Sequence, residues 1–150
     1  MTRKQRWRYY CDFCGKAGGA GGHIARHEKG CTANPNRECG LHKRIGEPQP
    51  PLADLIGALE SGGEDWAAGL SALIDASGEC PTCILAALRQ SPKLKATRDR
   101  YWTESPLDNA LSPLEQKGLD TIRAWNFKAK MAKWWRDVNG AEYERGMQYL

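Results

Sequence analysis

Leu52, Leu55, Ile56 and Leu59 recur at helical spacing, the pattern breaks at Ser61-Gly62-Gly63, and Trp66, Leu70, Leu73 and Ile74 resume it before Gly78. Apolar residues three and four apart share one stripe of a helix, so residues 52–76 predict a short helical hairpin with a Gly-rich turn. Ile84 to Gln90 is strongly helix-forming and Pro92 stops it, which puts Cys80 and Cys83 on that helix's first turn. Ser112-Pro113-Leu114-Glu115 combines an N-cap, a proline at the first helical position and a capping-box glutamate. A long helix from about Pro113 to Val138, ended by Asn139-Gly140, is expected to follow. β-Branched residues are scarce, so strands should be few and short.

Ahead of the hairpin the periodicity is lost. A finger-like segment runs from about Trp7 to Thr32, a turn-rich knuckle from Asn34 to Arg44, and Gly46-Glu47-Pro48-Gln49-Pro50-Pro51 reads as a linker. The expected organisation is residues 1–33, 34–100 and 101–150, a mainly α chain with a small N-terminal finger and a long C-terminal helix. At 150 residues and 41% hydrophobic content, such short pieces bury a core only by docking together, a limit that bound metal would relieve.

The cysteines suggest that metal. The basic N-terminus has no apolar stretch behind it, and nowhere is there a run of about 18 apolar residues, so the expectation is a soluble cytoplasmic protein with no membrane partner. Disulfides are disfavoured in a reducing compartment, and four of the six cysteines form two Cys-x2-Cys pairs, a spacing that closes a metal chelate.

Cys11 and Cys14 are followed after twelve residues by His27, and His27 after three by Cys31. A Cys-x2-Cys turn plus two ligands four apart on one helix face supplies the tetrahedral N/S set that zinc prefers. His23 shares that face and competes with Cys31 as fourth ligand, but only eight residues separate it from Cys14, so Cys31 is favoured. The segment from about Tyr9 to Cys31 resembles the Cys2His2 zinc-finger family in its Cys2HisCys variant, with Ile24 at the family's apolar helix position. The resemblance implies a hairpin carrying Cys11 and Cys14 against a helix carrying His27 and Cys31. Gly18 replaces the family's core aromatic, and the glycine-rich stretch 15–22 leaves a loop as the alternative to the hairpin. The family's base-reading positions map onto Ala20, His23 and Arg26, which favours a grip on phosphate over a choice of sequence.

A second set combines the Cys-x2-His turn of Cys39 and His42 with Cys80 and Cys83 at a helix start, across a 37-residue gap. Its ligand placement resembles the treble-clef zinc arrangement. Thiolates at a helix start are favoured by its dipole and free amides. Cys80-Pro81-Thr82-Cys83 also looks like a thioredoxin-type dithiol, but that motif leaves a buried strand, and the polar stretch 75–79 precedes it here. Both sets count four protein ligands, whereas catalytic zinc keeps one position for water, so no enzyme is expected. The expected cofactor is two zinc ions.

Charge is segregated. Residues 1–47 carry ten Lys/Arg against four Asp/Glu, while residues 48–79 carry no base and six acids. Arg3, Lys4, Arg6, Arg8, Lys16, Arg26 and Lys29 form a basic head suited to phosphates. In the tail, Trp102, Trp125, Trp134, Trp135, Tyr143 and Tyr149 interleave with Lys128, Lys130, Lys133 and Arg136. Leu114, Ile122, Trp125, Ala129 and Ala132 are expected to pack on the hairpin with the lysines in water, leaving one of Trp134 and Trp135 for an interface. The leading expectation is a non-enzymatic accessory protein associated with nucleic acid through largely sequence-independent phosphate contacts. The alternative is a structural or protein-interaction adaptor using the finger and the Trp-rich helix. The layout of one degenerate finger plus a helical tail looks like the small zinc proteins of bacteriophage genomes, which would place it in a host cytoplasm.

Overall fold

The computed structural model describes residues 6–94 and 113–147, and the described chain is mostly helical. In chain order come β1 (Tyr9–Tyr10), β2 (Ala17–Gly18), α1 (Gly21–Gly30), α2 (Gly40–Ile45), α3 (Leu52–Glu60), α4 (Trp66–Ala76), α5 (Pro81–Gln90), α6 (Pro113–Ala124) and α7 (Phe127–Met147).

The hairpin is α3 and α4, as the apolar spacing predicts, and it packs with α5 around Leu55, Leu59, Leu70, Leu73, Ile84 and Leu88. Asp65 caps α4 by accepting from the Ala68 amide at 3.1 Å. The two helices approach so closely that a Cβ on Gly69 would run into the Leu59 carbonyl, so the crossing depends on glycine there. Gly78 and Glu79 then take left-handed φ values of 62° and 63°, a tight reversal that delivers Cys80 to the start of α5.

The finger keeps a hairpin. β1 and β2 pair antiparallel, Tyr9 with Gly18 and Tyr10 with Ala17. Gly18 is tolerated in place of an aromatic because Ile24 fills the space: a Cβ on Gly18 would sit 2.9 Å from Ile24 Cδ1. Ile24 is buried with Cys11 and Cys31 in a small cluster of their own.

Three expectations are corrected. The long C-terminal helix is two helices, broken at residues 125–126, where Asn126 caps α7 by accepting from the Ala129 amide at 3.1 Å. Asn139-Gly140 does not end α7, which continues to Met147. A glycine costs a helix interior only about 1 kcal/mol, and Ala141, Glu142, Glu144 and Arg145 are good helix formers. The knuckle winds into α2, with Cys39 as its N-cap residue, and the linker is tied back because Gln49 donates to the Arg37 carbonyl at 3.0 Å and accepts from the Cys39 amide.

In the tail, Trp125, Met131 and Trp134 pack against the main core, whereas Ala129 and Ala132 face solvent, contrary to expectation. The apolar stripe of α7 is set by the larger residues Met131 and Trp134, which bury more area than alanine. Lys128, Lys130, Lys133 and Arg136 are exposed. Trp102 and Tyr149, and the side chains of Leu114, Ile122 and Tyr143, lie outside what is described. Among the described residues no helix is long and apolar enough to cross a membrane.

Candidate metal centres

Local sequence builds the first quartet from two supports. The turn after β1 carries Cys11 and Cys14, closed by the Cys11 amide donating to the Lys16 carbonyl at 2.8 Å and the Gly15 amide to the Cys11 carbonyl at 2.9 Å. Gly15 permits this turn through a left-handed φ of 74°. The last turn of α1 carries His27, and Cys31 follows directly after that helix. Cys14 Sγ and His27 Nε2 are 3.2 Å apart, and one ligand atom from each of Cys11, Cys14, His27 and Cys31 lies within 4.8 Å of the others. His23 is exposed and outside this group, so Cys31 takes the fourth place.

The second quartet stands where two helices begin. Cys39 is the N-cap residue of α2 with His42 inside it, and Cys80 is the N-cap residue of α5 with Cys83 in its first turn. Cys39 Sγ lies 3.2 Å from His42 Nδ1 and 3.5 Å from Cys80 Sγ, and Cys83 Sγ lies 3.5 Å from His42 Nδ1. All four are buried, and their ligand atoms fall within 4.8 Å of one another. Four N/S ligands around a tetrahedral ion stand roughly 3.4–3.8 Å apart. Both quartets approach that spacing, all six cysteines are free of disulfides, and both sets suit a metal ion.

No protein-family model, curated protein or solved structure matches the chain. The functional reading therefore rests on geometry.

The thiols are electrostatically sorted. Donation from the Cys80 thiol, and then from Cys83, holds Cys39 well below the ordinary thiol range. The same contact with Cys39 pushes Cys80 up, and contacts with Cys39 and Cys80 push Cys83 up. In the first quartet burial raises Cys11, but the amides of Cys14 and Phe13 donate to it and leave it below an ordinary thiol. Burial pushes Cys31 up, and the Ala33 amide offsets only part of that. Each quartet thus holds one favoured thiolate that neighbouring groups stabilise.

Polar side chains that the sequence reading passed over brace these centres. Asn34 is buried, donates to the Glu28 carbonyl at 2.8 Å and accepts from the Asn36 amide at 2.9 Å. Gln90 on α5 donates to the Thr32 and Asn34 carbonyls at 2.8 and 3.1 Å, and Arg89 donates to the Thr32 hydroxyl at 2.8 Å. Together they dock the finger's C-terminal loop on α5. Thr82 Oγ1 lies 3.2 Å from Cys39 Sγ and 3.4 Å from Cys80 Sγ. Only the tertiary structure reveals these partners.

Of the basic head, Arg6, Arg8, Lys16, Arg26 and Lys29 are all exposed, and Arg3 and Lys4 lie outside the described residues. Arg26 folds back so that its Nε donates to the Gly22 carbonyl at 3.4 Å. The paired tryptophans part company: Trp134 is partly buried against the core, while Trp135 stays exposed with the Arg44 guanidinium 4.9 Å from its ring centre. Their rings meet edge to face at 5.2 Å.

Proposed function

We propose that this protein is a non-enzymatic accessory protein, stapled by two zinc ions, that associates with nucleic acid through largely sequence-independent phosphate contacts. The observation that carries this reading is the charge of the finger surface. Between residues 6 and 31 it has five exposed Lys/Arg, namely Arg6, Arg8, Lys16, Arg26 and Lys29, against two carboxylates, Asp12 and Glu28. Glu28 is itself engaged, since its Oε1 accepts from the Asp12 amide at 2.9 Å.

Zinc is the metal that best suits Cys3His sets in a tetrahedral spacing, because thiolate and imidazole are its preferred ligands. The first set would be held as in a Cys2HisCys finger, and the second in a treble-clef-like placement of two ligand pairs. With four protein ligands in each set, neither ion would keep a position for a reacting water, which favours a structural role. Bound zinc would supply folding energy and no chemistry. Of the positions that read bases in such fingers, Ala20 offers no polar group and Arg26 alone is a plausible base reader, which favours contact with the backbone of nucleic acid over sequence choice.

The test is a titration of the full chain with generic DNA, duplex and single-stranded, at low and high salt. Affinity should fall steeply with salt, with a log–log slope of about −0.7 to −0.9 per phosphate neutralised. No binding at low salt overturns the reading. A second reading, a protein-docking adaptor, is favoured by the exposed Trp135 beside Arg44. It predicts salt-insensitive capture of a protein partner that Trp135→Ala removes.

A further inference from the structure

Exposed rings accompany the finger's exposed charge. Trp7 is 83% exposed, Tyr10 61%, Tyr9 47% and Phe13 43%, whereas the remaining large exposed apolar residues among those described are Ile45 and Trp135. An apolar concentration of this kind on a small surface marks an interaction site. Arg6, Trp7, Arg8, Tyr9 and Gly19 line one open recess alongside β1. Gly21 leaves room for the Tyr9 ring there, since a Cβ on that glycine would stand 3.2 Å from it. The recess therefore combines two aromatic walls with two guanidinium groups, and the run from Arg6 to Tyr10 contains no carboxylate.

Guanidinium groups next to open rings match a chain that alternates negative charge with unsatisfied flat apolar faces. Duplex DNA offers the charge but keeps its base faces stacked on one another. A single strand offers both, and stacking on aromatic side chains is tolerant of sequence. We propose that the recess along β1 binds single-stranded DNA, with unpaired bases stacked on Trp7 and Tyr9 and the adjoining phosphates held by Arg6 and Arg8. Neither the stacking on Trp7 and Tyr9 nor the phosphate contacts of Arg6 and Arg8 require a ribose 2′-hydroxyl, so DNA is the ligand committed to and RNA is an outcome of the test. The inference rests on the nucleic-acid reading above and narrows its ligand.

The metal-loaded full chain is titrated with oligo(dT), oligo(rU) and a mixed-sequence duplex at one low salt concentration, followed by anisotropy and tryptophan fluorescence. Oligo(dT) should bind at least about tenfold tighter than the duplex, with quenching of Trp7 fluorescence. Trp7→Ala should weaken oligo(dT) binding roughly five- to a hundredfold, with metal content and melting temperature unchanged because that side chain is so exposed. Duplex affinity should stay within about twofold in that variant, whereas Arg8→Ala should weaken both ligands and lower the salt slope. Tighter binding of duplex with Trp7→Ala silent overturns the inference and leaves the phosphate reading standing. Tighter binding of oligo(rU) overturns the choice of DNA. Failure to bind any polynucleotide overturns both readings.

Discussion

Arg37 Nη1 lies 3.6 Å from Cys83 Sγ, a contact between residues 46 apart in sequence, while Arg37 Nε donates to the Gly30 carbonyl at 3.5 Å. One buried cation thus touches both the second quartet and the end of the finger's helix. Three thiolates and a neutral imidazole around a divalent ion carry a net negative charge, and a buried charge without a partner is costly. Arg37 supplies the partner. Replacing it with methionine should lower metal affinity at the second centre roughly 10- to 100-fold, the usual effect of losing an outer-shell partner, and Arg37→Lys should recover part of it. Competition with a chromophoric chelator measures this, and equal affinities for all three proteins would remove the charge argument.

The two centres should differ in what their loss does. Cys39, Leu41, Cys80 and Cys83 belong to the same buried cluster as the leucines of α3 and α4, whereas Cys11, Ile24 and Cys31 form a separate small one. Cys83→Ser should therefore leave one equivalent of metal and lower the melting temperature of the whole helical core. Cys11→Ser should also leave one equivalent, but unfold the finger while the main helical transition survives. Metal analysis and far-ultraviolet circular dichroism melts decide it; identical melts for the two variants would count against separate roles.

The ligand pairs were legible in the sequence because the spacing within each is a local, covalent fact, whereas the meeting of Cys39 and His42 with Cys80 and Cys83 across 37 residues depends on how the α3–α4 hairpin between them packs. The α3–α4 hairpin was legible for a similar reason, since Leu55, Leu59, Leu70 and Leu73 record one face of each helix. What escaped was decided by packing at a distance. Gln49 sits in a stretch that composition marks as linker, and only its bonds to Arg37 and Cys39 make it part of the second centre. In the tail the pattern was a good guide, since Trp125 packs on the core and one of the adjacent pair, Trp135, stays exposed. Pattern did not show that Trp7, Tyr9, Tyr10 and Phe13 are exposed as well, on an N-terminal unit too small to bury them.

Acidity should release metal from the second centre. Without a cation, the Cys80 and Cys83 thiols donate to Cys39, which lowers Cys39 and raises the other two above the ordinary thiol value. Both raised thiols are then protonated in the metal-free state near neutral pH, and metal capture must displace those protons. Metal binding favours the deprotonated form, so affinity is greatest above the thiol range and is lost as pH falls. Two displaced protons correspond to about a hundredfold in affinity per pH unit. Chelator competition at pH 8, 7 and 6 reads the slope, and a flat profile would mean that the thiols are already ionised.

Two glycines of the hairpin should respond to alanine in opposite directions. Gly57 lies inside α3 with open space where a Cβ would go, so Gly57→Ala costs nothing in the folded state and removes backbone freedom from the unfolded chain. A gain of about 0.5–1 kcal/mol is expected. Gly69 lies inside α4 at the crossing, where an added Cβ meets the Leu59 carbonyl, a backbone atom that no rotamer change can move. Relief requires α3 and α4 to separate, and because α3 also packs on α5 the shift would loosen the support behind Cys83. Gly69→Ala should therefore destabilise by about 2–3 kcal/mol, in the range of overpacked cores, and weaken metal retention at the second centre while leaving the finger's ion in place. Urea melts of the metal-loaded proteins give the two signs; a Gly69→Ala variant as stable as the parent would show that the helices are not in contact as described.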